Sequence, residues 1–215
     1  MANFDIKYFF DLPQTLRSHA QSDITATDTM SHTCNDTKFF SFSGMTAGPN
    51  SRPYSILPQR TYYPRRPYCP DEPMTYDRIS FHDLSIDSGL GVPINQPCGG
   101  HSPILTINGG SDLVFQDYPD MRKISLHIMW PGYESLLGGR EAEHFTVDPA
   151  TLTRAMLAQV VANRVKLFME RAAQVPSRHP NHIIGNGGIE IGQVYLHGLR
   201  NTYSTAWQAD LSIEG

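Results

Sequence analysis

The sequence predicts an α+β fold: a mixed or largely antiparallel sheet with one long helix packed on one face, preceded by an extended Pro/Tyr-rich N-terminal arm. Three observations lead there. Residues 124–130 and 207–214 alternate apolar and polar side chains with the two-residue rhythm of half-buried strands. Between them, residues 148–176 repeat apolar positions at intervals of three and four, the rhythm of a helix with one buried stripe. Ahead of both, seven prolines fall within residues 49–73, where a regular element would be interrupted repeatedly.

Residues 1–75 read as a loosely ordered or extended arm and residues 76–215 as the α+β domain. Residues 15–50 are dominated by Ser, Thr, Asp and Asn without a sustained period. The prolines that follow are interleaved with Tyr54, Tyr62, Tyr63 and Tyr68 and with Arg52, Arg60, Arg65 and Arg66, so polyproline-like backbone is expected. From residue 78, "RISFHDLSI", "PILTI" and "DLVFQDY" are short strand-like runs separated by Gly and Pro clusters.

In "ISLHIMW", Ile124, Leu126, Ile128 and Trp130 share one parity, and Lys123, Ser125, His127 and Met129 the other, before Pro131-Gly132 ends the strand. His127 therefore points away from the main core face, towards solvent or whatever covers the second face. Asp148, with Pro149 at the first helical position, is a candidate helix cap, and Thr151 is an equal alternative. Leu157, Val160, Val161, Val165, Phe168 and Ala172 form the apolar stripe, and Val175-Pro176 provides the stop. Two final strands, "IEIGQVYLHGL" and "AWQADLSIE", read as an antiparallel hairpin, with Gly192 marking a bulge in the first.

Length and composition narrow the function classes. At 215 residues the chain suits one domain with an arm rather than two full domains. Lys and Arg total 17 against 21 Asp and Glu, and a formal charge of -4 exerts no general pull on nucleic acid or anionic membrane. The charged fraction of 18% is low, and a surface short of charge tends to associate. Cys34, Cys69 and Cys98 are odd in number and widely spaced, which suits free thiols in a reducing compartment, cytoplasmic or nuclear. Neither an export signal nor a membrane span is expected from the "MANFDIKYFFDLPQ" start and the lack of a long apolar run.

The ordered set "ISLHIMWPGYE", "TLTRAMLAQVVANRVKLFMERA" and "VYLHGLRNTYSTAWQADLSIE" resembles a group of uncharacterised intracellular proteins of mushroom-forming fungi. In that group a strand ending in Trp-Pro-Gly-Tyr precedes a helix started by Thr-Arg and a final Trp-Gln strand. The resemblance spans roughly residues 120–215. It implies a cytoplasmic or nuclear location and no particular activity, and it carries over no catalytic residue.

Four constellations are candidates for chemistry or binding. His127, His197 and Asp210 share the polar parity of their strands with Tyr195 and Gln208; on neighbouring strands they would form an acid-base set of hydrolase type. The ordinary alternative is a partner surface or solvated sheet. Arg52, Tyr54, Tyr62, Tyr63, Arg65, Arg66 and Tyr68 can anchor a protein partner or a second copy, or else hold a strap packed on its own domain. The same arginines and tyrosines can stack on single-stranded nucleic acid, but they are few for an acidic chain. Cys98, His101, His179 and His182 form C-x-x-H and H-x-x-H pairs that could together coordinate zinc, although each half also suits an ordinary loop.

Trp130 and Trp207 are assigned to the core, Tyr133 and Glu134 to anchoring the Pro-Gly turn. Phosphate-binding glycine loops, nucleophile elbows and metalloprotease or kinase motifs are absent from the sequence. The expectation is a non-catalytic interaction module without a cofactor, forming a homo-oligomer through the arm or a sheet edge.

Overall fold

A computed structural model of the protein describes residues 54–62, 78–82, 91–95, 107–134, 136 and 142–215, all within the unit Ser43–Gly215. Among the described residues, seven strands form one mixed sheet: β1 (Tyr54–Ile56), β2 (Ile79–Ser80), β3 (Val92–Pro93), β4 (Lys123–His127), β5 (Glu143–Thr146), β6 (Val194–Tyr203) and β7 (Ala206–Glu214). The spatial order is β2-β6-β7-β4-β5, with β3 also pairing β6 and β1 also pairing β7. Only β4 and β7 run parallel; every other pair is antiparallel. One helix, α1 (Arg154–Ala172), packs on the sheet, which makes the fold α+β with a mostly antiparallel, mixed sheet.

The two-residue rhythm builds the core in β4 and β7, and in β6 the register shift between Leu196 and Gly198 turns Leu196 and Leu199, three positions apart, to the same side. Ile124 and Leu126 of β4, Leu196 and Leu199 of β6, and Trp207, Ala209 and Leu211 of β7 are buried together with Leu157, Val161, Val165 and Phe168 of α1. Burying each large aliphatic or aromatic side chain contributes roughly 1.5–3 kcal/mol. Both indoles are fully enclosed. Trp130 lies 6.5 Å from the Phe168 ring and donates from Nε1 to the His182 carbonyl at 2.9 Å; Trp207 meets Phe115 edge-on at 5.7 Å.

The helix begins later than either cap candidate. Thr153 is the N-cap, its side-chain oxygen accepting from the Met156 amide at 3.3 Å. Asp148 instead closes a separate turn, accepting from the Ala150 amide and the Thr151 hydroxyl. Leu152 and Thr153 remain extended because Thr153 bridges Leu113 and the Leu152 carbonyl accepts from Val114. The first helical amides, Arg154 and Ala155, go to the carbonyls of Asp112 and Gly110, so the turn at 109–112 satisfies groups that a helix start leaves open.

Two local expectations are corrected. "DLVFQDY" folds as successive turns rather than a strand: Leu113 makes its single bridge, Tyr118 and Met121 close back on Phe115 and Tyr118, and Phe115 is driven inward against Trp207. Gly192 lies in a 3-10 turn, Ile191–Gln193, not in a bulge. The register shifts of β6 against β7 fall between Leu196 and Gly198 and between Asn201 and Tyr203.

The Trp-Pro-Gly-Tyr turn is anchored as its residues suggest. Gly132 has φ +87, its amide donates to Glu134 Oε2 at 3.0 Å, and the Tyr133 hydroxyl accepts from the Ile184 amide at 3.1 Å. A side chain at Gly132 would strike Ser177 Oγ at 2.6 Å and the His179 nitrogen at 2.7 Å, so glycine is required both by conformation and by space.

Candidate functional site

The polar parity of β4, β6 and β7 builds a second face on the sheet, opposite the helix. From β7 it receives Gln208, Asp210 and Ser212, from β4 His127, and from β6 His197. Alternation alone predicts a wet surface here. Yet Gln208 and Ser212 are fully buried and His127 is only 7% exposed. Residues 60–62 of a strap, residues 54–62, lie over the Gln208 and His127 part of the face, while residues 54–57 join β7 in the plane of the sheet.

The strap is held chiefly through its backbone. β1 adds to the end of β7, pairing Tyr54 with Glu214, Ser55 with Ile213 and Ile56 with Ser212. Leu57 then donates its amide to the Leu211 carbonyl at 3.0 Å and buries its side chain, while Gln59 Oε1 accepts from the Leu211 amide at 3.4 Å. Farther along, the Gln208 carboxamide grips the chain from both sides. Its Oε1 accepts from the Tyr62 amide at 2.8 Å and its Nε2 donates to the Arg60 carbonyl at 3.0 Å.

Two strap tyrosines, expected as partner anchors, face histidines of this same sheet. Tyr62 stacks on His127 with ring centroids 3.4 Å apart and planes 18° apart, and Tyr54 lies tilted over His197 at 6.3 Å. The other five proposed anchors, Arg52, Tyr63, Arg65, Arg66 and Tyr68, lie outside the described residues.

His127, His197 and Asp210 share the face but do not converge. His127 pairs across from Gln208, whereas His197 Nε2 shares a 2.7 Å hydrogen bond with Ser212 Oγ. Four residues of strand separate those two positions, about 13 Å along β7. Asp210 lies between them and is taken by Arg78 at 3.0 Å and Arg200 at 3.2 Å. Among the described residues, no hydrogen bond joins the three candidates to one another.

Burial acts on all three groups. Burial, reinforced by His144, pushes the His127 pKa down to about 4; burial, then Arg78 and His82, lowers that of His197 to about 4. Both imidazoles are neutral near pH 7 and are weak bases there. Burial raises the Asp210 pKa against the opposing pull of Arg200 and Arg78. The arrangement thus suits neutral stacking and hydrogen bonding better than proton transfer between the three groups.

The second histidine pair stands elsewhere, at the 3-10 turn Pro180–His182. His179 and His182 approach Nδ1 to Nδ1 at 3.0 Å, and burial, followed by His179, lowers the His182 pKa. Their proposed zinc partners, Cys98 and His101, lie outside the described residues. Among the described residues, no group of three or more His, Cys, Asp or Glu side chains is placed to hold a metal ion. A nearby depression of about 440 Å³ is lined by Ala173, Val175, Ser177, Ile183 and their neighbours, and none of the three acid-base candidates reaches it.

The sequence rhythm had already placed Gln208 on this face. It gave no sign of the clasp on the strap, or of Arg78 and Arg200 as the partners of Asp210. No helix of the described residues is long and apolar enough to cross a membrane. Comparison with known proteins found no family model, no curated protein and no solved structure that matches the chain.

Proposed function

We propose that the protein is a non-catalytic intracellular interaction module whose outer sheet face receives an extended chain segment, and that it self-associates through its arm. The observation that carries this reading is the Gln208 clasp on the backbone of Arg60 and Tyr62. A buried carboxamide that bonds to main chain, flanked by a strand-pairing edge and a stacking histidine, is peptide-recognition chemistry. Main-chain bonds supply affinity, and the tyrosine sites over His127 and His197 supply selectivity.

The sheet edges favour the arm as the route of association. β2 and β3 have two residues each, and β5 has four, with Glu143 held by Arg164 at 3.2 Å and Arg171 at 3.1 Å. Short edges resist pairing with another sheet, and β3 ends in Pro93, which has no amide to donate. Light scattering on the full-length chain, from micromolar to millimolar concentration, tests the reading. A concentration-dependent dimer is expected, weakened by Tyr62→Ala; a monomer throughout removes self-association.

A further inference from the structure

We infer that His179 and His182 form a binding site for a divalent transition-metal ion that takes nitrogen ligands at right angles, of the Cu(II) or Ni(II) class. The backbone that carries the two rings is tied down on every side. The His179 amide donates to Ser177 Oγ at 3.0 Å, and that hydroxyl donates to the His179 carbonyl at 2.9 Å. The His182 amide donates to the same carbonyl at 3.2 Å, while the His182 carbonyl receives the buried Trp130 indole at 2.9 Å. Pro180 fixes the backbone at the start of the turn between them. Gly132 leaves the necessary room, since a Cβ there would come within 2.8 Å of His179 Cβ. The Trp-Pro-Gly-Tyr turn thus serves as a platform for the His-Pro-Asn-His turn, and little ordering is left for an ion to impose.

The spacing of the two nitrogens selects the class of ion. His179 Nδ1 and His182 Nδ1 stand 3.0 Å apart. With metal–nitrogen bonds of about 2.0–2.1 Å, an ion bound to both sees them at an angle of roughly 90–97°. Neighbouring positions of a square-planar or octahedral ion have that angle, whereas a tetrahedral ion needs nitrogens about 3.3–3.4 Å apart. The ring centroids are 4.7 Å apart, less than the roughly 5.3 Å of two ring nitrogens that meet head-on. The rings are therefore bent away from a head-on approach, which is the condition for two lone pairs to meet at a third atom.

At this separation one Nδ1 carries the ring hydrogen and donates it to the other. As an ion binds, both Nδ1 lone pairs pass to the metal and that hydrogen moves through water to Nε2 of its own ring, so the two imidazoles stay neutral and no co-reactant is consumed. Among the described residues no third His, Cys, Asp or Glu joins the pair. His179 is exposed and His182 half-buried, so water completes the coordination shell and the ion exchanges freely with solvent.

The chain's two tryptophans make the test local, because the Trp130 indole is bonded to His182 itself and Trp207 pairs across from Leu126 in the sheet. Paramagnetic Ni(II) is added in substoichiometric steps to the full-length protein, labelled with heavy nitrogen, near neutral pH, and the two indole signals are followed by magnetic resonance. The Trp130 signal should broaden first while that of Trp207 stays sharp. His179→Ala and His182→Ala, each of which leaves the His182 carbonyl bond to Trp130 in place, should raise the nickel needed by about tenfold or more. Equal broadening of both indoles, no broadening of either, or an unchanged response in both variants overturns the site. Recovery of the Trp130 signal on adding an equal concentration of Zn(II) overturns the class of metal. Should a variant fail to fold, one equivalent of Cu(II) on the unaltered chain decides the matter: its electron-spin resonance should be split by two imidazole nitrogens, and splitting by one or none overturns the site.

Discussion

Replacing Gln208 by Leu tests whether the clasp holds the strap. Gln208 is fully buried, so Leu keeps most of its volume and leaves no polar side-chain atom to satisfy. Two hydrogen bonds disappear, those to the Tyr62 amide at 2.8 Å and the Arg60 carbonyl at 3.0 Å. Each neutral bond contributes a net of about 0.5–1.5 kcal/mol, so the strap loses about 1–3 kcal/mol. At about 1.4 kcal/mol per factor of ten, a loss of 2 kcal/mol speeds local opening roughly 30-fold. Native-state hydrogen exchange at the Tyr62 and Leu57 amides reads this directly, with the β6–β7 ladder amides as the internal reference. The reasoning fails if Tyr62 keeps its wild-type protection. It fails equally if every amide accelerates by the same factor, since the strap would then open only with the whole fold.

Acid should destabilise the protein through the buried histidines. His127 and His197 have folded pKa values of about 4 against an ordinary 6.5, so the unfolded chain binds more protons, and stability present above about pH 6.5 is lost as pH falls towards 4. For His127 the loss between about pH 7 and 5 is about 2 kcal/mol, while the raised pKa of Asp210 acts in the opposite direction. Urea unfolding at both pH values checks it, and His127→Phe should flatten the dependence; equal stability at both pH values defeats it. Gly132→Ala should cost about 3 kcal/mol or more, from the φ of +87 and the clash with Ser177 and His179, and a wild-type urea midpoint would contradict this. Ser204 holds φ +44 in the β6–β7 turn, so Ser204→Gly should raise stability by about 0.5 kcal/mol in the same assay, and a lowered midpoint would refute the strain.

Much of the fold is local and therefore legible. The inward parity of Ile124, Leu126, Trp207, Ala209 and Leu211 follows from alternation, and the buried stripe of α1 follows from its spacing of three and four. Even the turn at Gly132 can be read from Trp-Pro-Gly-Tyr-Glu, because proline and glycine restrict or free the backbone at their own positions. The helix start could not be placed the same way. Thr153, not Asp148 or Thr151, caps α1 because Leu113, Asp112 and Gly110 claim the groups around it, and no feature of residues 148–153 announces those neighbours.

The candidate site divides along the same line. By itself the sequence put His127, His197, Gln208 and Asp210 on the polar parity of their strands, and the strand order that sets β6, β7 and β4 side by side put them on one face. Tertiary structure alone decided what that face does: it placed Tyr62 on His127, aimed the Gln208 carboxamide at a backbone more than a hundred residues away, and took Asp210 out of reach of both imidazoles with two arginines. Those contacts join segments far apart in the chain, where no periodicity carries information from one to the other. They depend on β6, β7 and β4 lying side by side.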